Sequence, residues 1–289
     1  MDTRSLIEQT DSPGRSAEHL HRMWASVATS WGEHADYIDA RAAELTARML
    51  DLTEPRPGER VLELACGAGG LGLAAAARVA PSGEVVLSDV AAGMTAIASS
   101  RAHACGLTNV STRVLDLEHI EQPDGSFDVV LCRDGLQFAL DPGRAAREIR
   151  RVLRPGGRAA IAVWGPRERN PWLGVILDAA SAQLGRPVPP PGMPGPFALA
   201  DPAELVRALR AAGLSGVVVS ELSVPLRTAS VDEWWTRTTA LAGPLATILA
   251  QLPHDAVQAL RAHAQEAIEP YTTPTGCDFP GVALIIRMS

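Results

Sequence analysis

The chain has 289 residues, 46% of them hydrophobic, and a formal net charge of −7. That length suits one large domain or one domain with a cap, and the acidic balance argues against nucleic acid as the main partner. All 26 basic residues are arginine, so a pyridoxal-phosphate Schiff base, a P-loop lysine and a Tyr-x-x-x-Lys dehydrogenase pair are excluded for want of a lysine.

Met1 to Glu8 contains no apolar signal core, and no run approaches a membrane span. Cys66, Cys105, Cys132 and Cys277 have no metal-ligand spacing; they read as small buried thiols of a reducing compartment, which points to a cytoplasmic protein. The polar start to about Pro13-Gly14 reads as a frayed end. From Ser16 to Leu52 the pattern is helical. Trp24, Val27, Ala28 and Trp31 fall on one helical face, and Tyr37, Ile38, Leu45, Met49 and Leu50 continue in a second helix.

A rigid turn, Thr53 to Arg60, leads into the apolar strand Val61 to Leu64, a glycine-rich turn and a helix, Leu71 to Val79. A strand opening into glycines at a helix N-terminus is a nucleotide-type site, because the backbone can approach the ligand and the first helical N–H groups face it. Gly67-x-Gly69-x-x-Gly72 fits the dinucleotide fingerprint, with Asp89 twenty residues beyond Gly69 as a ribose acid. Glu63 is a carboxylate inside an apolar strand and demands partners. Glu63-x-Ala65-x-Gly67-x-Gly69 resembles the acidic glycine loop, E/D-x-G-x-G-x-G, of class I S-adenosylmethionine-dependent methyltransferases, with Ala65 in place of the first glycine.

Pro81-Ser82-Gly83 closes the first crossover helix, and Glu84 to Asp89 reads as the second strand, with Asp89 at the carboxyl edge where open parallel sheets bind ligands. Ala96 to Cys105 is the second crossover helix, and Val110 to Asp116 the third strand. Pro123 to Cys132 is a turn and fourth strand similar to the family's D/E-x-S-F-D-x-V stretch. Leu140 to Arg154 is a helix whose arginines, with Arg158 beyond it, form a solvated face. Arg151 to Arg158 matches R-x-L-K/R-P-G-G before the fifth strand, Ala159 to Trp164. The resemblance implies an α/β, doubly wound, Rossmann-like seven-stranded sheet, mostly parallel with the last strand antiparallel.

It also implies S-adenosyl-L-methionine as cofactor, S-adenosyl-L-homocysteine as product, and a set of contacts. Glu63, Ala65, Gly67 and Gly69 belong to the loop around the methionine portion. Asp89 accepts the ribose hydroxyls, with capping of the next helix as the alternative. Met94 packs on the adenine, or else in the core; Asp116 accepts from the adenine amino group, or else serves as a turn residue; and the Leu117 N–H donates to the ring. Cys132 ends the fourth strand, and Arg133, Asp134, Gly135, Leu136, Gln137 and Phe138 follow it near the methyl group; Trp31 belongs to an N-terminal lid like that of the quinone-biosynthesis branch, or else to core packing.

Beyond Trp164 the resemblance thins. Residues 165–200 read as a loop insert with one helical stretch and the proline-rich run Pro187 to Pro196, laid over the site edge. Asp201-Pro202-Ala203-Glu204 opens a well-capped helix. The sixth strand starts at Val217, and Phe279 to Met288 is the seventh. Three helical stretches, Val231 to Leu241, Pro244 to Leu252 and His254 to Ile268, separate them. The expected organisation is a lid segment 1–52, a core 53–229, a helical cap insert 230–278 carrying Trp234 and Trp235 toward the acceptor, and a final strand 279–289. A homodimer contact is the other reading of the insert.

Methyl transfer to a small, largely apolar acceptor, quinone-like or another secondary metabolite, through O, N or S is the function these residues point to. His34 and His254 are the candidate general bases. A nicotinamide-dependent oxidoreductase and a non-catalytic S-adenosylmethionine-binding protein are the alternatives.

Overall fold

Residues 13–289 are described in the computed structural model. Four helices lead: α1 (Pro13–Ser26), α2 (Ala28–Glu33), α3 (Ala35–Arg41) and α4 (Ala43–Thr53). They are followed by β1 (Arg60–Leu64), α5 (Gly70–Val79), β2 (Glu84–Asp89), α6 (Ala92–Ala104), β3 (Val110–Val114), β4 (Phe127–Arg133), α7 (Pro142–Val152) and β5 (Leu153–Trp164). The remainder comprises α8 (Pro171–Leu184), α9 (Pro202–Ala211), β6 (Val218–Ser223), β7 (Leu226–Thr228), α10 (Val231–Leu241), α11 (Gly243–Gln251), α12 (His254–Ala267), β8 (Thr272–Thr273), β9 (Gly276–Phe279) and β10 (Val282–Met288).

Seven strands form one sheet in the order β3-β2-β1-β4-β5-β10-β6. The five from β3 to β5 are parallel, and β10 runs antiparallel between β5 and β6. The sheet is buried on both faces because successive side chains alternate. Leu62, Val86, Val130 and Ile161 face α7 and α9, where Ala146, Ile149 and Leu205 cover them. Val61, Val85, Val129 and Ala160 face the other way, under Leu45 and Met49 of α4 and Leu71 and Ala75 of α5. Glu63 shares the second face with Val61, which aims its carboxylate toward the start of α5. A third cluster joins α8, α10, α11 and α12 to the small sheet β7-β9-β8.

Several boundaries differ from the sequence expectation. Helix α1 already begins at Pro13, so the expected fraying does not extend to that residue; residues 1–12 lie outside the described residues. The segment expected as two helices is four, because the backbone pauses at Val27, His34 and Ala42 with φ of −103°, −106° and −91° and ψ near zero, the bridge region rather than the helical one. The seventh strand starts at Val282, not Phe279. Pro280 lacks a backbone donor, and a side chain on Gly281 would collide with the Val224 carbonyl, so the chain breaks there and β9 joins the small sheet. Of the four cysteines, Cys66, Cys132 and Cys277 are buried as expected and Cys105 is exposed.

Candidate active site

The glycine turn is built by strand β1 handing a carboxylate to helix α5. Glu63 is 1% exposed, and its Oε2 accepts from the Gly72 N–H at 2.9 Å. A Cβ on Gly72 would strike Leu87 and this carboxylate, so only glycine brings the helix close enough for the bond. Burial pushes the Glu63 carboxyl up to about 8, against the lowering effect of Arg133 and the Gly72 N–H. Ala65, Gly67 and Gly69 hold positive φ of 51°, 53° and 87°. For Ala65 this is a strained conformation. At Gly67 a Cβ would also run into the Trp31 ring. The glycines thus let Trp31 and α6 close in on the turn, while Ala65 and Gly67 still line a cavity with Glu63 and Asp89, a donor and acceptor set that fits S-adenosylmethionine.

Asp89 closes β2 with both oxygens in use: Oδ2 accepts from Gly67 N at 2.9 Å and Oδ1 from Ala91 N at 3.0 Å. Asp89 does not cap α6, whose cap position is Ala91 with no side-chain cap bond; its two bonds instead join the glycine loop to the turn before that helix. Each oxygen keeps a second lone pair for a ligand. Burial raises the Asp89 carboxyl above its ordinary range while these N–H groups lower it. Asp116 stands two residues beyond β3 and not on it. Its Oδ1 accepts from Glu118 N at 2.8 Å, and its Oδ2 lies 3.6 Å from Nε2 of His21 on α1.

These groups line one cavity of about 220 Å³, together with Met94, Leu117 and Arg133. Trp24 and Trp31 form part of its wall; Trp24 meets Trp31 and Phe138 edge-on at 6.3 and 4.9 Å, and the Trp31 indole N–H donates to the Leu241 carbonyl at 3.0 Å. The same lining has a second, more apolar set. Trp164, Trp172, Leu173 and Val224 supply an apolar wall, α10 adds Arg237, Thr238 and Leu241, and Tyr37, Arg41 and Asp134 add polar groups. Arg41 stacks 4.1 Å from the Trp172 ring centre and 5.2 Å from that of Trp164. Asp134 has φ of +57° and is fastened to β5 by its N–H donating to the Ala162 carbonyl at 2.9 Å. Burial pushes its carboxyl up to about 6, with Arg133 and Arg41 opposing. Burial likewise lowers the Arg41 pKa.

Of the residues expected from sequence, Trp31, Glu63, Ala65, Gly67, Asp89, Met94, Asp116, Leu117 and Arg133 line the cavity, while Gly69, Cys132 and Gln137 do not. Gly69 supplies the cap of α5 instead. Cys132 is fully buried in the sheet core, its thiol pushed up to about 12 by burial, and Gln137 is 1% exposed. Neither base candidate reaches the site. His34 turns its Nδ1 to the Ser30 carbonyl at 2.9 Å, at the joint between α2 and α3, and His254 is exposed at the start of α12. Trp234 and Trp235 are also corrected: both are buried in the cluster beneath the insert and not on the cavity wall. Sequence reading did not find Arg41, Tyr37 or Glu118, and nothing local marks them as ligand-facing.

The methyltransferase domain family matches residues 61–157. The ubiquinone/menaquinone biosynthesis C-methyltransferase UbiE of Ralstonia nicotianae is 37% identical over 192 residues, 61% of this chain and 76% of that protein. Its counterpart in Cupriavidus pinatubonensis is 32% identical over the same shares. The nocamycin O-methyltransferase of Saccharothrix syringae is 33% identical over 68% of this chain and 75% of its own. Among solved structures, the YcgJ protein of Bacillus subtilis superposes with a TM-score of 0.59 at 21% identity, covering 84% of this chain and 96% of that one. The [4+2]-cyclase SpnF superposes with a TM-score of 0.53 at 24% identity, covering 86% and 81%. At these identities the structural likeness is one of fold.

Proposed function

Since the chain belongs to the class I S-adenosylmethionine-dependent methyltransferases, we propose that it methylates a small, flat, largely apolar molecule held with the cofactor in one cavity. The observation that carries this reading is that one cavity is lined both by the glycine cradle with its acidic strand ends and by the aromatic rings of Trp24, Trp31, Phe138, Trp164 and Trp172. On the cradle side Asp89 takes the ribose, Asp116, Leu117 and Met94 take the adenine, and Glu63, Ala65 and Gly67 take the methionine portion. S-adenosylmethionine held there would supply an activated methyl group on its sulfonium.

The protein's own share is enclosure and alignment. Trp164, Trp172 and Leu173 hold the acceptor's plane and exclude water, so that positioning lowers the barrier. Helices α1 to α3 act as the lid, and α10 and α11 close the acceptor side as the cap. Carbon joins oxygen, nitrogen and sulfur among the acceptor atoms, given relatives named for C-methylation as well as O-methylation. No helix among the described residues is long and apolar enough to cross a membrane. With all four thiols free, we place the protein in the reducing cytoplasm.

Calorimetry tests the cofactor: S-adenosylhomocysteine should bind and NAD should give no heat, and the reverse order would overturn the reading. A mass-spectrometric screen of small phenols, amines and thiols with labelled cofactor then identifies the acceptor.

A further inference from the structure

The acceptor side holds two groups of opposite charge that attract one another, with the Tyr37 hydroxyl also acting on the guanidinium, yet part of each is left without a partner. Arg41 Nε and Nη2 and Asp134 Oδ1 are sealed from solvent with no hydrogen-bond partner among the described residues. Neither side chain is in an ion pair there, although Arg133 and Arg237 on the same wall reach Thr46 and Glu233. Leaving such groups unpaired is costly. Stacking on Trp172 and Trp164 stabilises the Arg41 cation without supplying an acceptor. Asp134 is kept at an unfavourable backbone angle directly beyond β4, next to the cradle: a Cβ on the adjoining Gly135 would strike Ala65. Strain of this kind persists where the surroundings fix a residue for a purpose.

Resting on the methyltransferase reading, we propose that the acceptor is a neutral molecule with an acidic hydroxyl, a phenol or enol, ionised in place by Asp134 and held as its anion by Arg41. The O–H bond breaks, the proton passes to the Asp134 carboxylate, and the electron pair stays on oxygen, where the guanidinium balances it. That oxygen, or the conjugated ring carbon that shares its charge, is then the nucleophile. The pair itself selects this class. A carboxylate acceptor needs no base and is repelled by Asp134. An amine gains positive charge on methylation and is repelled by Arg41. A hydroxyl that surrenders its proton leaves the net charge of the wall and ligand unchanged. A carboxyl shifted up to about 6 by burial still holds its charge near neutrality and is a better base than an ordinary one.

The test uses the full chain saturated with S-adenosylhomocysteine and three matched probes, 4-nitrophenol, 4-nitrobenzoate and 4-nitroaniline. Below the pH at which free nitrophenol ionises, the bound probe should show the nitrophenolate absorption band. It should also bind about tenfold or more tighter than the other two, the scale of one hydrogen bond to a charged group. Arg41→Met and Asp134→Asn should each abolish the band while S-adenosylhomocysteine affinity stays within about twofold, and Arg41→Lys should restore part of it. A band that survives in either variant overturns the proposal, as does nitrobenzoate or nitroaniline binding as tightly as nitrophenol. Failure of nitrophenol to bind the cofactor-product complex overturns it too. Failure of S-adenosylhomocysteine to bind at all is seen in the first titration and overturns the underlying methyltransferase reading instead.

Discussion

Glu63 is a proton store as well as a structural partner. Its carboxyl is shifted up to about 8 by burial, so near neutrality the ligand-free protein keeps a proton that the unfolded chain has already lost. Stability from this group is fully present below the ordinary carboxylate range, declines as pH rises toward 8, and falls no further beyond it. A cationic ammonium brought close favours the carboxylate form. Calorimetry in buffers of different ionisation enthalpy should therefore show proton release when S-adenosylhomocysteine binds near pH 7, with affinity rising to a plateau above about 8. Glu63→Gln should flatten both dependences.

Residue chemistry of this kind was legible wherever it was local. Glu63, the glycines and Asp89 announce themselves because their main-chain partners lie within the first strand, its glycine turn and the next strand and turn. Arg41, Asp134 and Trp172 meet from three segments far apart in sequence, so no spacing could pair them. His34 and His254 looked suitable only because reactivity was weighed without geometry.

At the scale of elements, the helical insert was readable in its three segments but not in its orientation. Periodicity shows that a tryptophan is on a face, not whether that face looks into a cavity or a core. Trp234 is 0% exposed; its indole N–H donates to the Trp172 carbonyl at 2.8 Å, and its ring lies 5.4 Å from that of Phe279. It is thus the support beneath a residue that does line the cavity. Trp234→Ala should cost about 3–5 kcal/mol in denaturant unfolding, the range for emptying a core aromatic site. Trp234→Phe keeps a ring and loses only the indole bond to the Trp172 carbonyl, which retains its place in the α8 ladder, and should cost about 0.5–1.5 kcal/mol. The breaks at Val27, His34 and Ala42 were illegible for another reason. None is a glycine or proline, so packing alone bends the chain there.

For the whole molecule, the bond from the Trp31 indole to the Leu241 carbonyl joins two parts of the chain that sequence separates by most of its length. Helix α2 covers the glycine cradle, α10 covers the acceptor side, and this contact fastens one cover to the other. Parting the two covers has to break this bond, so release of the cofactor product is expected to depend on it. Trp31→Phe, which removes the N–H donor but keeps an aromatic ring beside Gly67, should speed S-adenosylhomocysteine release in stopped-flow displacement more than it weakens equilibrium binding. A product burst before steady turnover, lost in Trp31→Phe, is the expected sign that release through this latch is slower than chemistry.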